Sequence, residues 1–206
     1  MSDGKLNGIC LVVYDKNFEL TNNEDSIYYY RKLIMKNGKP NGMAYDYFKN
    51  GKIQGEGFLI NEKPEVYSGI YKSYFMSGKI NSEGESDSEG YGLGKHKVYY
   101  ENGTIEYIEE YENRVIKHFK SFDEKGNLIA EGKLKNNAYY NGWLYDYTEY
   151  KNGVKELDGD FMIIENPKDA SNNENGPVNE RKYYDEKGNV LKTEKYETSK
   201  PWSLLK

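Results

Sequence analysis

The sequence predicts an all-β protein, an elongated and twisted antiparallel sheet of about seven tandem hairpins. Three observations carry this. One motif returns along the chain: Tyr47–Ile53 (YFKNGKI) is echoed by Tyr74–Ile80 and Tyr99–Ile105, with looser copies running to Leu128, Val154 and Val190. A glycine marks the bend of each copy, at Gly51, Gly78, Gly103, Gly126, Gly153 and Gly188, in steps of 27, 25, 23, 27 and 35 residues. Such turns need positive φ, which glycine adopts at low steric cost. The flanks are rich in Tyr, Phe and Ile, residues that suit a pleated, half-buried surface.

Taken in order, DGKLNG (residues 3–8) matches NGKPNG (37–42), so the chain enters the pattern at a turn and Ile9–Tyr14 is the first strand. Phe18 stands where a turn glycine belongs, which predicts a different turn there. Thr21–Glu24 reads as loop, and Ser26–Met35 as a strand leading into Asn37-Gly38. The next two units are the most regular, with outgoing strands holding Gly55-Glu56-Gly57 and Ser82-Glu83-Gly84. Ser86–Gly94 reads as loop. From Lys95 to Tyr111 a hairpin places Tyr107, Glu109 and Tyr111 on one face. Asn113-Arg114 is a tight reversal, Ala130-Glu131-Gly132 repeats the Glu-Gly pair, and Trp143–Tyr150 is the most aromatic strand. The units are therefore 3–36, 37–63, 64–90, 91–112, 113–136, 137–165 and 176–197 of a single array, with 166–178 a loop insertion. Residues 198–206, with Pro201, Trp202, Leu204 and Leu205, are a C-terminal cap over the last edge. A second glycine precedes the last aromatic by six residues: Gly42 before Phe48, Gly69 before Phe75, Gly94 before Tyr100. Even spacing puts each pair on one face, and the expected reason for glycine is room for a neighbouring ring. Fourteen strands at about 4.8 Å would span roughly 60–65 Å and curl into a groove.

Asn37–Ile53 (NGKPNGMAYDYFKNGKI) carries the pattern Asn-Gly-Lys-x-x-Gly-x5-aromatic-x-x-Gly-x-Ile in full. It resembles the MORN repeat, and more closely the bacterial MORN variant associated with a toxin–antitoxin component. Units four, six and seven depart from it: Ile116 replaces a strand glycine, and eight residues separate Gly142 from Tyr150 and Gly176 from Tyr184. Bulged or shifted hairpins are expected there. The resemblance implies a non-catalytic binding array, of the antitoxin or immunity kind in bacteria and membrane- or scaffold-associated in eukaryotes.

Composition narrows the function classes. Leu, Ile, Val and Phe number 41 of 206 residues, too few for one deep core, while 22 tyrosines supply large area with a polar tip. Stability is expected from contacts between neighbouring repeats. A net charge of −5 disfavours a nucleic-acid binder and gives no attraction to anionic lipid. Cys10 is the sole cysteine, so neither a disulfide framework nor a thiolate metal cluster is expected. The first residues resemble neither a signal peptide nor a membrane span, which points to a cytoplasmic protein.

Two stripes are candidates for binding. One is aromatic: Tyr45, Tyr47, Tyr71, Tyr74, Tyr99, Tyr145 and Tyr147, of which Tyr47, Tyr74 and Tyr99 hold equivalent positions and should stack on one face. Its structural reading is a substitute core; its functional reading is a set of partner anchors. The other is acidic: Glu56, Glu83 and Glu131 at one repeat position, with Asp158 close to register. These either form a solvated face paired with turn lysines such as Lys52 and Lys79, or meet a basic protein surface. No catalytic motif is present, and His96 and His118 are the only histidines. His96 reads as an ordinary surface residue. Repeated glutamates could pair as a glycosidase acid and base, but a repeat supplies equal environments where that chemistry needs unequal ones. The expectation is thus no cofactor and no metal. The partner is expected to be a protein with a basic surface, such as a toxin, a nuclease or a nucleic-acid-guided effector, which this chain occludes. A membrane or scaffold module is the alternative, and a hydrolase a distant third.

Overall fold

The computed structural model describes residues 4–17, 19–60, 67–139, 142–164 and 174–197. Fourteen strands follow one another in the sheet in the order of the chain, and the only helical segment among the described residues is a 3-10 turn at Glu24–Ser26. The chain divides into two compact units, Met1–Ile105 with Tyr111–Val115, and Glu106–Glu110 with Ile116–Lys206. β8 (Ile105–Glu112) contributes residues to both.

The first unit contains β1 (Gly8–Tyr14), β2 (Tyr29–Lys36), β3 (Lys39–Phe48), β4 (Ile53–Ile60), β5 (Ser68–Tyr74), β6 (Ile80–Ser86) and β7 (Gly92–Tyr99). The second contains β9 (Val115–Phe122) from Ile116 onward, β10 (Leu128–Tyr139), β11 (Gly142–Lys151), β12 (Val154–Ile164), β13 (Glu174–Tyr184) and β14 (Val190–Tyr196). Within each unit consecutive strands pair antiparallel, as at Ala44↔Gly57 and Gly132↔Tyr147.

Two turn chemistries occur. At Gly51, Gly78, Gly103, Gly126 and Gly188 the glycine N–H donates to the carbonyl three residues back, and that earlier residue's N–H donates to the carbonyl four residues on. This is a three-residue loop closed by a glycine bulge, with φ between +82° and +94° at these five glycines. Asn37-Gly38, Asn113-Arg114 and Asn152-Gly153 are instead two-residue turns with both residues at positive φ. The six expected turn glycines are thus all at bends, and Gly153 uses the second geometry.

Several expectations need correction. Ser86–Gly94 is not a loop: Asp87–Tyr91 is a further glycine-bulge turn, with Gly90 N–H donating to Asp87 O at 3.0 Å, and β7 begins at Gly92. Residues 174–178 of the expected loop insertion are strand, because β13 begins at Glu174. The second strand begins at Tyr29 rather than Ser26, which belongs to the 3-10 turn capped by Asn23. Register shifts are not confined to the irregular units, since they occur at Asp46/Tyr47 and Ser73/Tyr74 as well as at Glu149/Tyr150. The bulge belongs to the repeat. Phe18, residues 166–173 and the cap at 198–206 lie outside the described residues.

Burial is patchy, as a low aliphatic content dictates. In the first unit Leu33, Ala44 and Leu59 form a small core flanked by Cys10, Val12, Met35 and Tyr67. In the second, Leu144, Met162 and Val178 are buried together. Neither cluster is large enough to stand for a globular core, so the rings and polar contacts between strands hold much of the structure.

Candidate functional site

Alternation along a strand assigns each residue of the acidic-glycine pairs to its own face. On one face the carboxylates meet tyrosines. Tyr74 Oη donates to Glu56 Oε1 at 2.6 Å, and Tyr99 Oη to Glu83 Oε1 at 2.7 Å. In the second unit Tyr150 Oη donates to Glu131 Oε1 at 2.7 Å, and Tyr184 Oη to both oxygens of Asp158 at 3.0 Å. Each tyrosine lies on the incoming strand of the hairpin after its carboxylate. The two stripes of the sequence are one ladder, in which each acid receives the hydroxyl of the next repeat.

On the opposite face the glycines seat rings. A Cβ on Gly57 would stand 2.6 Å from the Tyr67 ring, on Gly84 2.7 Å from His96, and on Gly132 2.3 Å from Phe119. Gly159 is crowded by backbone, with Glu180 O at 2.4 Å. Only glycine lets these groups approach so closely. The expectation that Gly42, Gly69 and Gly94 make room for rings is therefore wrong. Nothing stands within 3.9 Å of a Cβ on any of them, and each has positive φ, so backbone conformation selects them. Gly69 and Gly94 sit inside the register shifts at the start of β5 and β7.

The rings form short columns. In the first unit Tyr67 stacks on Tyr71 at 6.4 Å, Tyr71 meets His96 edge-on at 5.6 Å, and His96 lies 4.7 Å from Tyr111. His96 is half-buried rather than an ordinary surface residue. Its Nε2 donates to Glu85 O at 2.6 Å, and its Nδ1 shares a hydrogen bond with the Tyr71 hydroxyl at 3.2 Å. In the second unit Phe119 touches Tyr107, Tyr145 and Tyr147, and Tyr147 touches Phe161.

The aromatic candidates thus separate. Tyr71, Tyr145 and Tyr147 belong to the ring columns, and Tyr145 is only 1 % exposed, which removes it as a partner anchor. Tyr74 and Tyr99 act as ladder donors on the other face, where Tyr45 and Tyr47 also lie. The expected mutual stacking of Tyr47, Tyr74 and Tyr99 is replaced by these hydroxyl–carboxylate bonds. Lys52 and Lys79 do not pair with the acidic stripe either. Lys52 Nζ donates to Met76 O at 2.9 Å and Lys79 Nζ to Glu101 O at 2.8 Å, tying each turn to the next along the Gly51–Gly78–Gly103 margin. The lysines opposite the glutamates are strand residues: Lys72 lies across from both Glu56 and Glu83, and Lys97 across from Glu83 at 3.3 Å.

The ladder shifts proton affinities in both directions. The Tyr99 hydroxyl holds Glu83 below the usual carboxylate range, and the Tyr150 hydroxyl does so for Glu131. At the last hairpin, donation from Tyr183, Tyr196 and Lys192 takes Glu194 from 4.5 to about 2. Conversely, burial and the Glu56 carboxylate raise Tyr74 to about 12, burial and Glu83 raise Tyr99 to about 12, and Glu131 with burial does the same to Tyr150. A lowered acid stabilises the fold above its unfolded value and loses that contribution as pH falls through the folded one; a raised phenol contributes below 10 and is lost as pH rises through 12. Urea midpoints are accordingly expected to be flat between about pH 5 and 9 and to fall on both sides. The Tyr74→Phe/Tyr99→Phe/Tyr150→Phe variant should show a shallower alkaline fall.

One group of residues has no counterpart in the sequence stripes. Arg31 and Asp46, 6 % and 4 % exposed, face each other across β2 and β3. The guanidinium forks onto the carboxylate through Nε at 2.6 Å and Nη2 at 2.8 Å. Tyr67 donates its hydroxyl to the same carboxylate. The rings of Tyr14 and Tyr67 lie 5.7 and 5.6 Å from the guanidinium carbon. Burial opposes the charge on Arg31, but the Asp46 carboxylate outweighs it and raises the Arg31 pKa. Burial and the same carboxylate push the Tyr67 phenol far up. The charges satisfy each other and leave no free acid, base or nucleophile at that point. Among the described residues no cluster of three His, Cys, Asp or Glu side chains is placed to hold a metal ion, and no helix is long and apolar enough to cross a membrane.

The carboxylate face of the first unit also carries an exposed apolar row. Ile9 pairs with Ile34, Met43 with Phe58, and Ile70 and Leu93 both flank Glu85. Exposure is 73 % at Ile9, 44 % at Phe58 and 65 % at Ile70, unusual for so many apolar side chains in one line. Sequence reading missed this row because the bulges at Gly42 and Gly69 bring it into alignment.

A family model described as MORN repeat variant matches residues 40–61 and 93–113, the β3–β4 hairpin and the strands β7 and β8. No match is found among curated proteins.

Proposed function

From the premise that this chain is a MORN-repeat protein, we propose that it is a non-catalytic array that binds another protein through the carboxylate face of its first unit. The exposed row Ile9, Ile34, Phe58, Ile70 and Leu93, with half-buried Met43 beside Phe58, carries this reading, because contiguous apolar surface beside polar residues marks protein contacts. Tyr45 and Tyr47 lie beside it as aromatic anchors. Glu56 is already engaged by Tyr74, and Glu83 by Tyr99 and Lys97, so they act at the rim and steer a basic partner rather than anchor it. A lipid surface fits less well, since lysines there stand opposite glutamates and offer no excess positive charge. Occlusion of a toxin, nuclease or effector is the finer form of the proposal, and it is supported by the resemblance to antitoxin-associated MORN variants.

Phe58→Lys/Ile70→Lys is the test. Proteins retained by the wild type at both about 0.1 and 1 M salt are expected to be lost by the variant, because screening weakens charge contacts and leaves apolar ones. Binding that survives the substitutions but vanishes in salt would return the role to the acidic residues. Flotation of the wild type, but not the variant, with anionic vesicles would make the row a membrane surface.

A further inference from the structure

We infer that the free edge of β1 pairs with the same edge of a second copy, as an antiparallel two-fold joint centred on Cys10. The inference rests on other observations than the proposed function, and the two share only Ile9. β1 is the only one of the fourteen strands without a charged residue, reading GICLVVY, and it has no proline. Sheet edges are ordinarily protected by charge or proline, as β14 is by Lys192, Glu194 and Lys195. Identical uncharged strands meet no like-charge repulsion, so this edge is compatible with itself.

The chain shows that the edge accepts an antiparallel strand. Residues 19–21 already lie along its last residues: Asp15 N–H donates to Glu19 O at 2.8 Å, Thr21 N–H to Val13 O at 3.2 Å, and Tyr14 bridges Leu20. Two consequences follow from this register. Backbone groups alternate in direction along a strand, so Leu11 and Ile9, like Val13, direct theirs outward. The unoccupied stretch is Gly8–Val12, whose midpoint is Cys10. Among the described residues no strand lies beyond it.

Two-fold pairing over that stretch exchanges backbone bonds between Ile9 and Leu11 of the two copies. It sets Cys10 opposite Cys10 as a non-hydrogen-bonded pair, with Cα atoms about 4.5 Å apart. The apolar core also gains. Cys10 and Val12 are its half-exposed margin beside Leu33, and pairing covers them with the same residues of the other copy. Ile9 and Leu11, 73 % and 64 % exposed on the other face, gain cover as well. A joint of five residues is smaller than a permanent interface, so exchange is fast and dimer appears only at high concentration.

Sedimentation equilibrium across about 10 μM to 1 mM is expected to show a reversible monomer–dimer equilibrium with Kd in the upper micromolar range. Diamide, reduced as it oxidises two thiols to one disulfide, should trap a Cys10–Cys10 dimer, because the paired spacing suits that bond. Leu11→Lys and Ile9→Lys, both at exposed positions, should each abolish dimer and slow trapping at least tenfold, with an unchanged circular dichroism spectrum. Leu191→Lys on β14 should change neither. A strictly monomeric wild type at 1 mM, a dimer untouched by both lysine variants, or trapping no faster than for Leu11→Lys would each overturn the inference.

Discussion

Asp46→Ala is expected to lower the unfolding free energy by about 3–5 kcal/mol, the range for removing one partner of a buried ion pair. The guanidinium of Arg31 would keep its charge, lose both carboxylate contacts and remain among Tyr14, Tyr67 and the adjacent strands. Tyr67 would lose its acceptor at the same time. Arg31→Met should cost a comparable amount by stranding the carboxylate. The double variant Arg31→Met/Asp46→Leu removes both charges, and two apolar side chains of similar volume can replace a buried pair at little cost. It should therefore recover most of the loss. Urea denaturation of the four proteins gives the cycle, and additive losses in the double variant would show that the pair acts through shape rather than charge.

Gly132→Val should be the most damaging single glycine replacement in its hairpin, by about 3 kcal/mol. The new Cβ would stand 2.3 Å from two ring carbons of Phe119. That ring is 7 % exposed and held against Tyr107, Tyr145 and Tyr147, so it has nowhere to retreat. Gly188→Ala, by contrast, meets nothing within 4 Å and carries only the conformational cost of φ at +83°, about 1 kcal/mol. Thermal denaturation of the two variants separates crowding from backbone preference. Equal losses would contradict the assignment of Gly132 to a ring seat.

The hairpins were legible in the sequence because their signals are local. Gly51, Gly78 and Gly103 announce bends through turn chemistry confined to five residues, and the aromatic flanks announce strands. What joins one hairpin to the next was only half legible. Glu56, Glu83 and Glu131 stood out as one stripe and Tyr74 and Tyr99 as another. Their union depends on a strand register that bulges shift by a residue. The same bulges misdirected the glycine argument: parity put Gly42 and Phe48 on one face, but the rings rest on Gly57, Gly84 and Gly132. Arg31 and Asp46 gave no signal at all. They are fifteen residues apart and meet only across two strands, and an Arg or Asp in a strand ordinarily faces solvent.

Two joints recur at Glu56-Gly57, Glu83-Gly84, Glu131-Gly132 and Asp158-Gly159, a hydroxyl bound to the acid on one face and a close approach over the glycine on the other. The ionisation of Tyr99 reads the first joint directly. In a carbon-13 titration of labelled tyrosines, with Tyr99 assigned through Tyr99→Phe, its ring should ionise at about 12. Burial raises that value and Glu83 raises it further, so Glu83→Gln, which removes the charge it faces, should lower it part of the way towards 10, whereas Glu85→Gln should leave it in place. Tyr99 ionising near 10 in the unaltered protein, or at about 12 regardless of Glu83, would contradict the ladder.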